Sequence, residues 1–188
     1  MLHSLLTADA VLRAWLASHH TASLDLVMSS LSLLGQAGTM WILLGAVMVL
    51  RQPRLAPMLW QIVLAILVAQ IAVDHVIKPL VARTRPFDAI AGIRVLGPHP
   101  TTFSFPSGHA ASSIAGAYIV SLMMPAHRWL PWALAAGIAF SRIYIGVHYP
   151  LDVAGGALVG WGVAAMVTGG RAWYTQRSLA APTGPQAP

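Results

Sequence analysis

Five long stretches of this chain hold almost no charge, and that constrains its fold more than any other feature. They run from about Leu24 to Leu50, from Leu55 to Val73 and on toward Leu80, from Ser107 to Met124, from Trp129 to Val147 and from Leu151 to Gly170. A helix that crosses a bilayer needs roughly 20 mostly apolar residues, and each stretch meets that within tolerance. Of 188 residues only 9% are charged and 57% are hydrophobic, whereas a soluble domain carries about a quarter charged side chains. Eleven basic and five acidic residues do not suffice to cover a water-facing surface of this size. The composition argues against a soluble globular enzyme and against a disordered segment. The expected class is all-α: a polytopic transmembrane helix bundle of five spans.

The flanks read differently. In residues 2–18, Leu5, Leu12, Trp15 and Leu16 lie near one helical face, while His3, Thr7, Asp9 and Arg13 interrupt the remainder. That pattern predicts an interfacial amphipathic helix over residues 1–20, with a sixth span as the alternative. Asp9 and Arg13 also break up any signal-peptide core. The transmembrane domain is expected over residues 21–172, followed by a disordered tail over 173–188, rich in Pro and Ala. Gly35 and Gly38 fall mid-span and predict a kink. Gly156 and Gly160, four apart, predict a helix-packing face. The lack of Cys excludes disulfides, thiolate metal sites and a cysteine nucleophile.

A net charge of +6 raises the question of nucleic acid, but nucleic-acid binders gather basic residues on a water-exposed face, and here they are scattered through short gaps between apolar runs. Arg51, Arg54, Arg128, Arg171 and Arg177 fall on one side of the expected membrane. Lys78, Arg83, Arg85, Arg94 and Arg142 fall on the other. If Lys78, Arg85 and Arg142 hold a ligand rather than act as topology signals, the first side is cytoplasmic, with the N-terminus outside and the C-terminus inside.

Three polar clusters share the expected outer side: Lys78-Pro-Leu-Val-Ala-Arg83-Thr-Arg85-Pro86, Phe105-Pro106-Ser107-Gly108-His109, and Ser141-Arg142 continuing to His148 and Asp152. Because the helices alternate in direction, these clusters can line one pocket. Lys78, Arg85 and Arg142 supply three cations, and the two arginines suit phosphate oxygens bidentately. Ser107 is placed to cap a helix, which turns the Gly108 and His109 amides outward as an anion site. Glycine at 108 lets an oxyanion approach the backbone. The spacing from His148 to Asp152 lets the carboxylate hold one imidazole nitrogen, leaving the other free as base or nucleophile. His109 is placed to protonate a leaving alkoxide. Such a pocket suits phosphoryl transfer. Asp74 and His75 are expected to be solvated or packed, Arg83 and Arg94 to be surface or headgroup contacts, and His19, His20, His99 and His127 have no assigned role.

Taken together, K-x6-R-P, P-S-G-H and S-R-x5-H-x3-D resemble the signature of the type 2 phosphatidic acid phosphatase superfamily, which includes bacterial lipid phosphatases and the vanadium haloperoxidases. Every fixed position is present in order, and the resemblance covers roughly residues 24–170. It implies an integral membrane hydrolase acting on the phosphate or diphosphate headgroup of a lipid through a phosphohistidine. In that pattern His148 resembles the nucleophile, Asp152 the carboxylate that orients it, and His109 the general acid. Lys78, Arg85, Ser107, Gly108 and Arg142 resemble the phosphate-binding set. The resemblance implies no metal and no cofactor. Undecaprenyl diphosphate and phosphatidylglycerophosphate are the leading substrates, and phosphatidate and lipid A phosphates are compatible. The expected partners are the lipid substrate and membrane lipids, with no nucleic acid. The expected location is the inner (plasma) membrane, with the site on its periplasmic or extracytoplasmic face. A non-catalytic phospholipid-binding protein or transporter and a haloperoxidase-like vanadate enzyme are the alternatives.

Overall fold

A computed structural model describes residues 2–180, with side chains described for 4, 6–16 and 18–169. Its helices are α1 (Leu2–Ala17), α2 (Ala22–Leu34), α3 (Thr39–Arg51), α4 (Ala56–Ile71), α5 (Lys78–Val81), α6 (Pro86–Ala89), α7 (Gly108–Met123), α8 (Trp129–Tyr144) and α9 (Pro150–Ala180). Among the described residues the regular structure is entirely helical, as the apolar runs predict.

Helix α7 is the axis of the bundle and packs against α9, α8 and α4. Its buried surface is made of small side chains, among them Ala110, Ala111, Ser112, Ser113, Ala115, Gly116 and Ala117. Small residues let helices approach closely, which takes the place of the hydrophobic drive that lipid does not supply. The fully buried Trp41 ring fills the space over Gly116. The expected face of Gly156 and Gly160 is where α9 meets α7. A methyl group on Gly156 would run into the Ser107 carbonyl, and one on Gly160 into the Ala111 carbonyl. Both contacts advance by four residues in the same direction, so α7 and α9 run parallel and their N-termini lie side by side.

The first apolar run is broken where the two glycines predict. Chain direction changes by 47° between α2 and the Gln36–Arg51 stretch. Gly38 adopts φ 71°, open to glycine at little cost, and Gly35 lies directly against the Ile138 side chain. The second run continues from α4 through a π-helical turn, Ala72–Ile77, into α5. Two helical segments are long and apolar enough to cross a membrane, Pro53–Ala89 and Pro150–Gly169, and the bent pair makes a third if counted as one span. At 16 residues each, α7 and α8 reach about 24 Å, less than the roughly 30 Å hydrocarbon core. The expected α7 and α8 helices are present, but they stop short: Pro125 follows α7, and the left-handed Gly146 follows α8.

At the N-terminus the structure corrects the sequence reading. Asp9, Arg13 and Leu16 face the bundle, at 5%, 0% and 8% exposure, while Leu6, Val11, Leu12 and Trp15 are exposed. The two charges that were expected on the water-facing side of an amphipathic helix are its most buried polar residues, and Leu16 parts company with Leu12 and Trp15. Helix α1 docks on α8 and α9 through this inward stripe. At the other end, α9 stays helical to Ala180, past the expected boundary at 172. The remainder of the expected tail, 181–188, lies outside the described residues.

Candidate active site

The parallel pairing of α7 with α9 sets the site, because it places two helix N-termini together. Ser107 caps α7, its hydroxyl accepting from the Ala110 N–H at 3.4 Å. Its own N–H donates to the Asp152 carbonyl at 2.9 Å, which ties the first turn of α7 to the first turn of α9. Gly108 has a packing reason besides the expected one. A side chain there would come within 2.9 Å of Gln70 Oε1 and touch Val73, so a larger residue at this position would have to displace the Gln70 amide of α4.

The three expected cations are buried at the same end of the bundle, Lys78 at 7%, Arg85 at 3% and Arg142 at 8% exposure. Lys78 Nζ donates to Asp74 at 2.6 Å and to the Thr102 hydroxyl at 3.3 Å. Arg85 donates to the Thr102, Val147 and Phe103 carbonyls at 2.6, 2.9 and 3.1 Å and to the Thr102 hydroxyl at 3.2 Å. Arg142 donates to the Ser32 hydroxyl, and its Nε is buried without a protein partner. A cavity of about 690 Å³ is lined by His109 and Arg142 together with Ser29, Ser32 and Gln36 and the 96–100 link. A second, of about 710 Å³, is lined by Lys78, Arg83, Arg85 and Thr102, and Pro100 borders both.

His148 lies in the link between α8 and α9, 3% exposed, its backbone N–H donating to the Arg142 carbonyl at 3.2 Å. Its Nδ1 faces Asp152 Oδ2 at 3.4 Å. The fully buried Asp152 also accepts from the Tyr149 N–H at 2.9 Å and from the Ser104 hydroxyl. Burial, with Arg85 and Arg142 adding repulsion, outweighs the hydrogen bond that the imidazole donates to Asp152 and pushes His148 down to about 4. It is neutral at pH 7, the form that carries a free lone pair. His109 is faced by Arg142, His148, Lys78 and Arg85, so all three motifs converge.

Arg142 does not pair with Asp152. That place is taken by Arg83, which was expected at the surface. Its Nη1 donates to Asp152 Oδ1 at 2.7 Å and its Nη2 to Asp9 Oδ2 at 2.6 Å, with the guanidinium 3.9 Å over the Tyr149 ring. Arg94 is a surface residue, its side chain 69% exposed and 3.6 Å from Asp25. Asp74 is exposed but holds Lys78, and His75 is exposed. Sequence reasoning missed Arg83, Asp9, Ser104, Thr102 and Ser32. A signal existed for two of them: in a chain with five carboxylates, a charge between apolar runs needs a partner of opposite sign.

The sequence profile of the PAP2 superfamily matches residues 58–176. An undecaprenyl-diphosphatase of Sulfolobus acidocaldarius is 40% identical over 97 residues, 50% of this chain and 46% of that protein. The chain spans about half the length of the curated relatives it matches. Among solved structures, a transmembrane PAP2 type phosphatidylglycerolphosphate phosphatase from Bacillus subtilis shares the fold with a TM-score of 0.70 at 24% identity, over 90% of this chain and 87% of that one. LpxE of Aquifex aeolicus matches with a TM-score of 0.68 at 26% identity, over 84% and 93%.

Proposed function

This chain belongs to the PAP2 superfamily, and on that premise we propose that it is a membrane lipid phosphatase working through a phosphohistidine on His148. The observation that carries the proposal is a neutral, buried imidazole held by Asp152 at the shared N-termini of α7 and α9, with His109 and three cations around it.

In the first step Nε2 of His148 attacks phosphorus while Nδ1–H stays directed at Asp152. An N–P bond forms, the bond from phosphorus to the leaving oxygen breaks, and His109 gives that oxygen a proton. In the second step His109 takes a proton from water, whose oxygen forms a new bond to phosphorus as the N–P bond breaks. Inorganic phosphate leaves and His148 returns to its neutral form. Lys78, Arg85, Arg142 and the amides at the start of α7 are the groups assigned to the phosphoryl oxygens, the work that matters most where charge spreads over three oxygens. None of these steps uses a metal.

The lipid chain reaches the site sideways, through the cavity that His109 shares with α2 and the 96–100 link. The protein crosses the inner (plasma) membrane five times, with α1 at the interface and the site on the extracytoplasmic face. Undecaprenyl diphosphate is the leading substrate, supported by the name of the 40% identical relative, and phosphatidylglycerophosphate is the second. Phosphate release by detergent-purified protein in EDTA, compared with His148→Ala, tests the proposal. Release from the wild type and none from the variant is the expected outcome. Equal release from both would sink the covalent step, and phosphate binding without turnover would favour a transporter.

A further inference from the structure

Asp152 gives only one of its oxygens to His148. Oδ2 faces the imidazole, while Oδ1 accepts from Arg83. The other arm of Arg83 reaches Asp9 Oδ2, and Asp9 Oδ1 accepts from the Leu151 N–H at 2.8 Å, at the start of α9. A continuous line of groups thus runs from the imidazole, through a carboxylate of α9 and a guanidinium ahead of α6, to a carboxylate on α1. His148, Asp152 and Asp9 are 3%, 0% and 5% exposed, and the Arg83 side chain is 17% exposed. Asp9 lies outside residues 58–176, the region that carries the family signature.

Two physical consequences follow. Arg83 gives one arm to each carboxylate. With Oδ1 held by Arg83 and Oδ2 by the Tyr149 N–H and the Ser104 hydroxyl, the Asp152 carboxylate is gripped from both sides, and Arg83 helps to keep Oδ2 aimed at His148 Nδ1. Its charge also draws on that of Asp152, while Asp9 on the far side returns part of it. We propose that Arg83 and Asp9 are positioning residues for the attack of His148, and that α1 is for this reason part of the active site as well as a membrane attachment. The proposal rests on His148 being the nucleophile. The other charged and titratable groups around this line are Arg142 on α8, His109 on α7, Arg85 and Lys78 on the second motif, Tyr149 beside Arg83, and Arg13 on α1.

The test is the pH profile of the full-length protein in detergent, for Asp9→Asn, Arg83→Gln and Arg83→Lys. Asp9→Asn keeps the shape and removes the counter-charge of Arg83. Arg83 then draws harder on Asp152, the imidazolium loses support, and the acid limb of kcat/KM moves to lower pH. Arg83→Gln does the opposite: Asp152 acts on the imidazole undiluted and the acid limb moves to higher pH. Arg83→Lys keeps the charge but loses the fork, so its acid limb stays near that of the wild type. In all three, kcat falls by roughly ten- to a hundredfold, as when outer partners of a functional group are removed, while KM changes little. Displacements in opposite directions are not what a merely structural role produces. Wild-type kcat in Asp9→Asn and Arg83→Gln, or acid limbs that stay put or move together, would overturn the proposal. If Arg83→Gln does not fold, the direction for Asp9→Asn decides alone. Wild-type protein inert on lipid phosphates, or a fully active His148→Ala, would instead count against the phosphatase reading.

Discussion

Helices α7 and α1 both bring polar groups to the same site, and they do so by opposite means. Helix α7 delivers them end-on. Ser107 caps its first turn, and its small-residue surface lets α4, α8 and α9 close around it. Helix α1 delivers them side-on. Asp9 and Arg13 reach inward from mid-helix, and Val11, Leu12 and Trp15 point away from the bundle. End-on delivery depends on backbone groups and close contacts, so it tolerates few changes along the helix. Side-on delivery depends on single side chains, and the rest of the helix is free to meet the membrane.

Substitutions separate the two modes. Asp152→Asn, where both lines of contact meet, is expected to lower kcat by roughly 10³-fold or more in folded protein, since the orienting carboxylate of a catalytic histidine sets its tautomer. Single-turnover phosphate release checks it. Gly160→Ala attacks the α7–α9 contact by pushing a methyl group onto the Ala111 carbonyl. It is expected to cost about 1–3 kcal/mol, in line with overpacking elsewhere, read as a lower Tm in detergent. Titration bears on the link between the two helices. Because burial holds His148 at about 4, the neutral imidazole that the proposed attack needs persists above that value and is lost on protonation below it. The acid limb of kcat/KM, which reports the free enzyme, is expected well below the ordinary histidine value of about 6.5. The smallest effect is expected on the outer face of α1: Leu12→Ser and Trp15→Ser change stability in detergent by less than about 0.5 kcal/mol. A large loss there would mean that α1 is held by its apolar side.

The same contrast explains what the sequence made legible. Caps, glycines and apolar runs are local, so α7, α8, the kink at 35–38 and the face at Gly156 and Gly160 are readable from the chain. The convergence of three motifs is readable as well, since helices that alternate in direction bring their ends together. What escaped is the partner of each charge. Asp9 was expected on the outer side because an amphipathic helix lying at a membrane interface turns its charges toward water. Where the outside is lipid, both charges of α1 point inward instead: Asp9 pairs with Arg83, while the Arg13 guanidinium is buried with no hydrogen-bond partner among the described residues. Arg83 escaped for the same reason, its partners lying 74 and 69 residues away in the chain. The short reach of α7 and α8 was hidden because apolar sequence continues into their non-helical ends.

The central claim is that His148 carries the phosphoryl group. Rapid acid-free quenching of the wild type with a lipid diphosphate labelled in its terminal phosphate tests this most directly. The account predicts protein-bound label that is stable to alkali, lost in acid, present within the first turnover and absent in His148→Ala. Turnover at the wild-type rate with no label on the protein, or label that persists in His148→Ala, would contradict it.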